Sequence, residues 1–228
     1  MHSTKDNLEV LFEDNHLLIV NKKSGDIVQG DKTGDKPLSD VVKEYIKEKY
    51  NKPGEVFLGV VHRLDRPTSG IIIFARTTKA LERLNKMLRE RTISKTYWAV
   101  VKNIPPKEKD SLIHFLKKNP KNNKSTVFSK ETDASKKAIL HYSILKKLDN
   151  YSLLKIDLET GRHHQIRAQL AYIGSPIKGD LKYGASRSNK DGSIHLHARK
   201  ILFTHPVSKE KISILAPIPN EVIWNVCL

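Results

Sequence analysis

The chain has 228 residues, 38% of them apolar, which is enough to fold and to bury a sizeable core. Lys and Arg number 41 against 25 acids, a formal net charge of +16, so a polyanion is the expected partner and nucleic acid the first candidate. The single cysteine, Cys227, excludes an internal disulfide and a multi-cysteine zinc site. No apolar run approaches the roughly 18 to 20 residues of a membrane span, and MHSTKDNLEV lacks the apolar core of a signal peptide. A cytoplasmic protein is expected.

In chain order, Leu8–Phe12 and His16–Asn21 read as strands around an Asp-Asn turn at 14–15. Residues 24–37 are rich in Gly and Asp and read as loop. A helix follows from Ser39, which is placed to cap it, with Val41, Val42, Tyr45 and Ile46 at helical spacing. In LGVVHRLDRPTSGIIIFAR, residues 58–76, two apolar runs flank a polar connection, the pattern of buried strands joined by a turn. Thr77 or Thr78 can cap a helix to about Arg91, with Ala80, Leu81, Leu84 and Leu88 on its buried stripe. KTYWAVV, 95–101, alternates as a strand that puts Tyr97 on one face with Ala99 and Val101.

KKNPKNNKSTVFSK, 117–130, holds five lysines and no acid. It reads as a solvated loop able to contact phosphates. Strands near 135–147 and 151–159 lead into ETGRHHQIRAQLAYIGSPIKGDLKYG, 159–184. There Ile166, Leu170 and Ile173 mark a helix starting near Gly161, with Arg162, His163 and His164 in its first turn. Cations at a helix N-terminus oppose the helix dipole, so their presence there points to a bound carboxylate or phosphate, or to acids elsewhere in the fold.

Asp65 is the only carboxylate between Val56 and Leu81, and it lies between Arg63 and Arg66. Taken alone it is a turn former or a functional acid, since Asp, Pro, Ser and Gly all make turns and nearby cations favour an ionised carboxylate. HRLDRPTSG resembles the signature of the RluA-type pseudouridine synthases, His-Arg-Leu-Asp, two variable residues, then Thr-Ser-Gly. VNKKSG resembles that family's opening turn, Asn-Lys-Pro-Ser-Gly, with Lys23 in place of Pro. GRHHQIR resembles its second signature, with His163 at the variable place, and SPIKGDLKYG resembles the continuation. HLHARKILFTHP, 195–206, resembles its third block. These matches run through nearly the whole chain in the family's order.

The resemblance implies a catalytic Asp65, paired with Arg167, and Tyr97 stacked on the target base and assisting proton removal. Arg63 would fill or brace the space left by a flipped nucleotide, and Leu196 would line the base pocket. His62, Arg66, Arg162, His164 and Gln165, the other polar members of these motifs, are expected to contact RNA or base. The fold implied is α+β: a pseudouridine synthase-like, mainly antiparallel mixed sheet with peripheral helices and a central cleft. One domain over 1–228 is expected, two lobes sharing one sheet, with no separate RNA-binding module ahead of it.

The reaction is an isomerisation, so no cofactor or metal is expected. His195 and His197 alternate on one strand face, but neither a Cys cluster nor a His-Glu-x-x-His pattern completes a metal site. Structured RNA, ribosomal or transfer, is the expected partner, bound by a monomer. The competing reading is an RNA-binding protein that keeps the scaffold without turnover; it has no need for Asp65, Tyr97 and Arg167 together.

Overall fold

The computed structural model describes residues 2–31 and 33–227. In chain order the elements are β1 (Val10–Glu13), β2 (Leu17–Lys22), α1 (Leu38–Lys49), β3 (Gly59–Val60), β4 (Ser69–Ala75) and α2 (Thr78–Arg89). There follow β5 (Ser94–Lys102), β6 (Lys109–Asn119), β7 (Lys124–Phe128), β8 (Lys136–Lys147), β9 (Tyr151–Leu158) and α3 (Gln165–Tyr172). The chain ends with β10 (Leu196–Thr204), β11 (Lys211–Leu215) and the short α4 (Val222–Val226). It forms two compact units, Met1–Ile93 with Ala198–Ile218, and Ser94–His197 with Pro219–Leu228. The architecture is α+β, and every strand pair with a resolved register is antiparallel.

In the first unit β2 pairs with β1 on one side and β4 on the other, and β10 pairs with β11. All seven residues of β4 are buried. One face of this sheet packs Leu18, Val20, Ile72 and Phe74 against Leu38, Val41, Val42 and Ile46 of α1. Pro37, not Ser39, precedes the first turn of α1, and Ser39 is buried inside the helix. Proline's fixed φ suits entry to a helix, and its lack of an N–H costs nothing there. Thr77 does cap α2, its hydroxyl accepting from the Ala80 amide at 3.2 Å.

Ser69 and Gly70 belong to β4 rather than to the connection before it. Gly70 has φ +112°, and a Cβ there would sit 2.4 Å from the carbonyl oxygen of Ala198 and 2.5 Å from its nitrogen. Backbone meets backbone at this point, so only glycine fits.

In the second unit five strands run in the order β5-β9-β8-β6-β7. Here α3 lies against β6 and β8, burying Ala168 beside Leu116 and Ala138. The sequence expectation of a loop over 117–130 is corrected: β6 and β7 form a hairpin with Lys117 opposite Thr126 and Lys118 opposite Ser125. Its side chains are almost all solvated, so it has no apolar period to read; the backbone ladder and a turn with Asn123 at φ +49° hold it.

Replacing Gly70 by Ala should cost about 3 kcal/mol or more, because overpacking and a positive φ act at the same atom. Urea denaturation of the variant checks this; a midpoint equal to wild type would mean that the two backbones do not approach so closely.

Candidate active site

In the first unit Asp65 heads a turn closed by the Thr68 amide donating to the Asp65 carbonyl at 3.0 Å. This turn is sewn to residues 22–26. The Gly25 amide donates to the Arg66 carbonyl at 2.9 Å, and the Ser24 hydroxyl to the Pro67 carbonyl at 3.1 Å. Beneath both lies Lys22, the last residue of β2, paired with Gly70 and 1% exposed. Its Nζ donates to the carbonyls of Lys23, Asp26 and Arg66 at 2.9, 2.8 and 3.1 Å. Three acceptors take all three N–H bonds of an ammonium. Burial pulls the Lys22 amine down to about 7, against the opposing field of the Asp26 and Asp65 carboxylates. The turn is therefore held firmly although Lys23 stands where the family pattern has proline.

The flanking residues have defined places. The Nε2 of His62 accepts the Ile73 amide at 3.1 Å, extending the β3–β4 ladder with a side chain where the strand has ended. Arg66 reaches back to the 24–37 loop, with Nη1 2.6 Å from Asp35 and Nη2 2.8 Å from the Thr33 hydroxyl. This contact holds the Asp35 carboxyl below its usual range. Arg63 is exposed, and Asp65 is half-buried.

In the second unit Tyr97 sits in β5 opposite Ile156, 8% exposed. The helix carrying Arg167 begins at Gln165, so Arg162, His163 and His164 precede it and are not in its first turn. The cause is the backbone of His164, which takes a left-handed φ of +52° and breaks the helical path. Gln165 is engaged with the protein itself: its Oε1 accepts from the Thr160 hydroxyl and the Arg162 amide, and its Nε2 donates to the Ile139 carbonyl. Arg162 donates from Nε to the Lys137 carbonyl at 2.9 Å. Leu196 is buried at the start of β10, just after His195, whose Nε2 lies 2.9 Å from Glu221 and whose ring stacks on Trp224. Burial lowers the His195 pKa despite that carboxylate.

Arg167 is buried and gripped by a residue to which the sequence reading gave no role. Its Nε and one Nη donate to the two oxygens of Asp180 at 2.7 and 2.9 Å, a two-pronged ion pair with Asp180 1% exposed. The guanidinium carbon also lies 5.2 Å from the centre of the Tyr183 ring. Asp180 precedes and Tyr183 ends one short 3-10 turn, Leu181–Tyr183, so a single piece of chain holds the guanidinium twice. The signal for Asp180 was an acid beside a glycine in KGDLKYG. A Gly-Asp neighbourhood of this kind also marks ordinary turns.

Residues 16–172 match the family model described as RNA pseudouridylate synthase. The chain belongs to that family. It is 31% identical over 218 residues to a Bacillus subtilis protein named as an uncharacterized RNA pseudouridine synthase, YlyB, covering 94% of this chain and 70% of the relative. It is 37% identical over 217 residues to ribosomal large subunit pseudouridine synthase C of Buchnera aphidicola, covering 92% of this chain and 66% of that protein. The chain thus spans about two thirds of the length of these relatives. Among solved structures, human RNA pseudouridylate synthase domain containing 4 superposes with a TM-score of 0.78 at 22% identity, covering 93% of this chain and 89% of the other. Its fold is that of a pseudouridine synthase, and enzymes of the family isomerise uridine in RNA.

Two outcomes follow for this synthase. Lys22 has a folded pKa near 7 and an unfolded one near 10.4, so the unfolded chain binds more protons between those values and stability should rise with pH across that window. The slope is at most about 1.4 kcal/mol per pH unit, and it should disappear in Lys22→Met; urea midpoints at several pH values test both. Asp180→Asn should destabilise by about 3 kcal/mol by removing the negative charge from a buried two-pronged ion pair. Thermal unfolding at matched pH would contradict this if the variant melted with wild type.

Proposed function

We propose that the chain converts uridine to pseudouridine in a structured RNA with Asp65 as the catalytic residue, residues 1–228 working as one catalytic domain. The reaction breaks the glycosidic carbon–nitrogen bond, turns the uracil and joins the sugar to ring carbon 5, whose hydrogen leaves as a proton while the freed ring nitrogen gains one. The atoms balance without a redox partner. A uridine stacked in a helix is closed to this chemistry, so the nucleotide is flipped out at a cost of a few kcal/mol, with Arg63 bracing the space it leaves.

The observation that supports Asp65 most directly is the clasp beneath its turn, where Lys22, Ser24 and Gly25 hold the two residues that follow the acid, Arg66 and Pro67. A carboxylate that attacks the sugar, attacks the ring or removes a sugar proton must in each case be ionised and held in reach. Arg167 pairs with it in this reading, and Tyr97 stacks on the uracil and serves the late proton step. Leu196 supplies an apolar wall for the base. Arg66, Arg162, His164, His62 and Gln165 act on the RNA through the segments they brace.

The names of the relatives make large-subunit ribosomal RNA the first candidate substrate; transfer RNA is the alternative carried over from the family resemblance. The net charge of +16 supplies affinity for phosphates without sequence information. Asp65→Asn should abolish pseudouridine formation and leave RNA binding within about twofold. Pseudouridine mapping of total RNA from cells with the wild-type protein, with the variant and with neither checks this. A site restored by Asp65→Asn would remove the carboxylate from its role, and identical maps in all three would favour binding without turnover.

A further inference from the structure

The lysine hairpin is tied to the turn that holds Arg167. Lys117, Lys118, Lys121 and Lys124 are exposed, and no acid lies between Asp110 and Glu131. Between Lys117 and Thr126 one residue alone is buried, Ser125. Its amide donates to the Tyr183 hydroxyl at 2.7 Å, and its own hydroxyl donates to the His163 carbonyl at 2.7 Å, with His163 Nδ1 at 2.9 Å. The Tyr183 hydroxyl also meets His164 Nδ1 at 2.9 Å, and the two histidine rings stack 3.7 Å apart. Lys182, in the same turn, donates to the Asn123 carbonyl at 3.3 Å.

The opposite side of that turn faces the guanidinium. Asp180 forks onto Arg167, and the Tyr183 ring lies against it. A strongly cationic arm, anchored at one buried serine, therefore bears directly on Tyr183, in the turn that also carries Asp180. The arm's chemistry selects the phosphate backbone of RNA, and a ring held by its hydroxyl at one end can pass a small displacement to what lies against its face.

We infer that Ser125 and Tyr183 are positioning residues, through which RNA phosphates seated on the hairpin lysines set the orientation of Arg167. This rests on the role given to Arg167 above and adds to it a coupling between substrate seating and assembly of the site. Misplacement of a catalytic group by about an ångström costs up to about a hundredfold in rate, so a loosened junction is visible in turnover.

The test uses the full chain and total RNA from cells lacking the protein, grown with uridine tritiated at ring carbon 5. Tritium release reports turnover, and filter retention of the same RNA reports binding. Tyr183→Phe deletes the oxygen that accepts the Ser125 amide and keeps the ring over Arg167; Ser125→Ala leaves that amide in place and removes the hydroxyl's tie to His163 without changing charge. Both should lower the single-turnover rate on saturating RNA by about tenfold or more with binding within about twofold. Lys121→Glu with Lys124→Glu should instead weaken binding and flatten its salt dependence.

Rates are read below the melting transitions of all variants, and if Ser125→Ala does not fold, Tyr183→Phe decides alone. Full single-turnover rates in the junction variants would overturn the coupling, as would a loss confined to binding. Tritium release by Asp65→Asn would instead overturn the reading of the site, whatever the junction variants do.

Discussion

The turn that carries Asp65 depends on a buried ammonium. Lys22 has almost no contact with solvent and directs its three N–H bonds at one carbonyl of the turn, that of Arg66, and at two of the adjoining segment, those of Lys23 and Asp26. Burying a charge in this way is unfavourable by itself, which is why the amine's pKa falls. What compensates is that three backbone carbonyls accept from it at once, that of Arg66 together with the Gly25 amide, in a field containing two carboxylates. Gly25 and Ser24 complete the same seam, so the 65–68 turn is positioned by residues some forty places earlier in the chain.

A similar economy governs the second unit. One turn holds Arg167 twice, because Asp180 supplies a counter-charge and Tyr183 an aromatic surface. His164, in its left-handed conformation, ends the preceding loop and lets the helix start two residues before the arginine. A residue with a Cβ pays about 1 kcal/mol or more for that conformation, and here the ring's contacts with His163 and Tyr183 hold it there.

Much of this was legible in the residues. The buried strand Ser69–Ala75 announces itself by the apolar run Ile71–Ala75, and α2 by a threonine cap and a leucine stripe. The motifs around Asp65 and Arg167 pointed to the family that the comparisons bear out. The elements that escaped are those whose signal is not apolar periodicity. In β6 the inward row of Leu112, His114 and Leu116 is interrupted by a histidine while Ile113 faces out, so the alternation is masked. The 117–128 hairpin hides behind its lysines for a related reason. Helix α3 was expected about four residues early because nothing in Arg162-His163-His164 warns of a positive φ. Asp180, Lys22 and Tyr183 escaped because their function is contact with distant chain, which spacing along a sequence does not report.

Gly70 separates two kinds of information within one short motif. Its requirement comes wholly from the approach of the Ala198 backbone, a demand of architecture that exists whether or not any uridine is ever transformed. The aspartate five positions earlier answers, in the function proposed above, to chemistry. A descendant chain that lost activity but kept its shape would retain the glycine and be released from the acid. Within HRLDRPTSG, then, the final letter testifies to ancestry, and the fourth to trade.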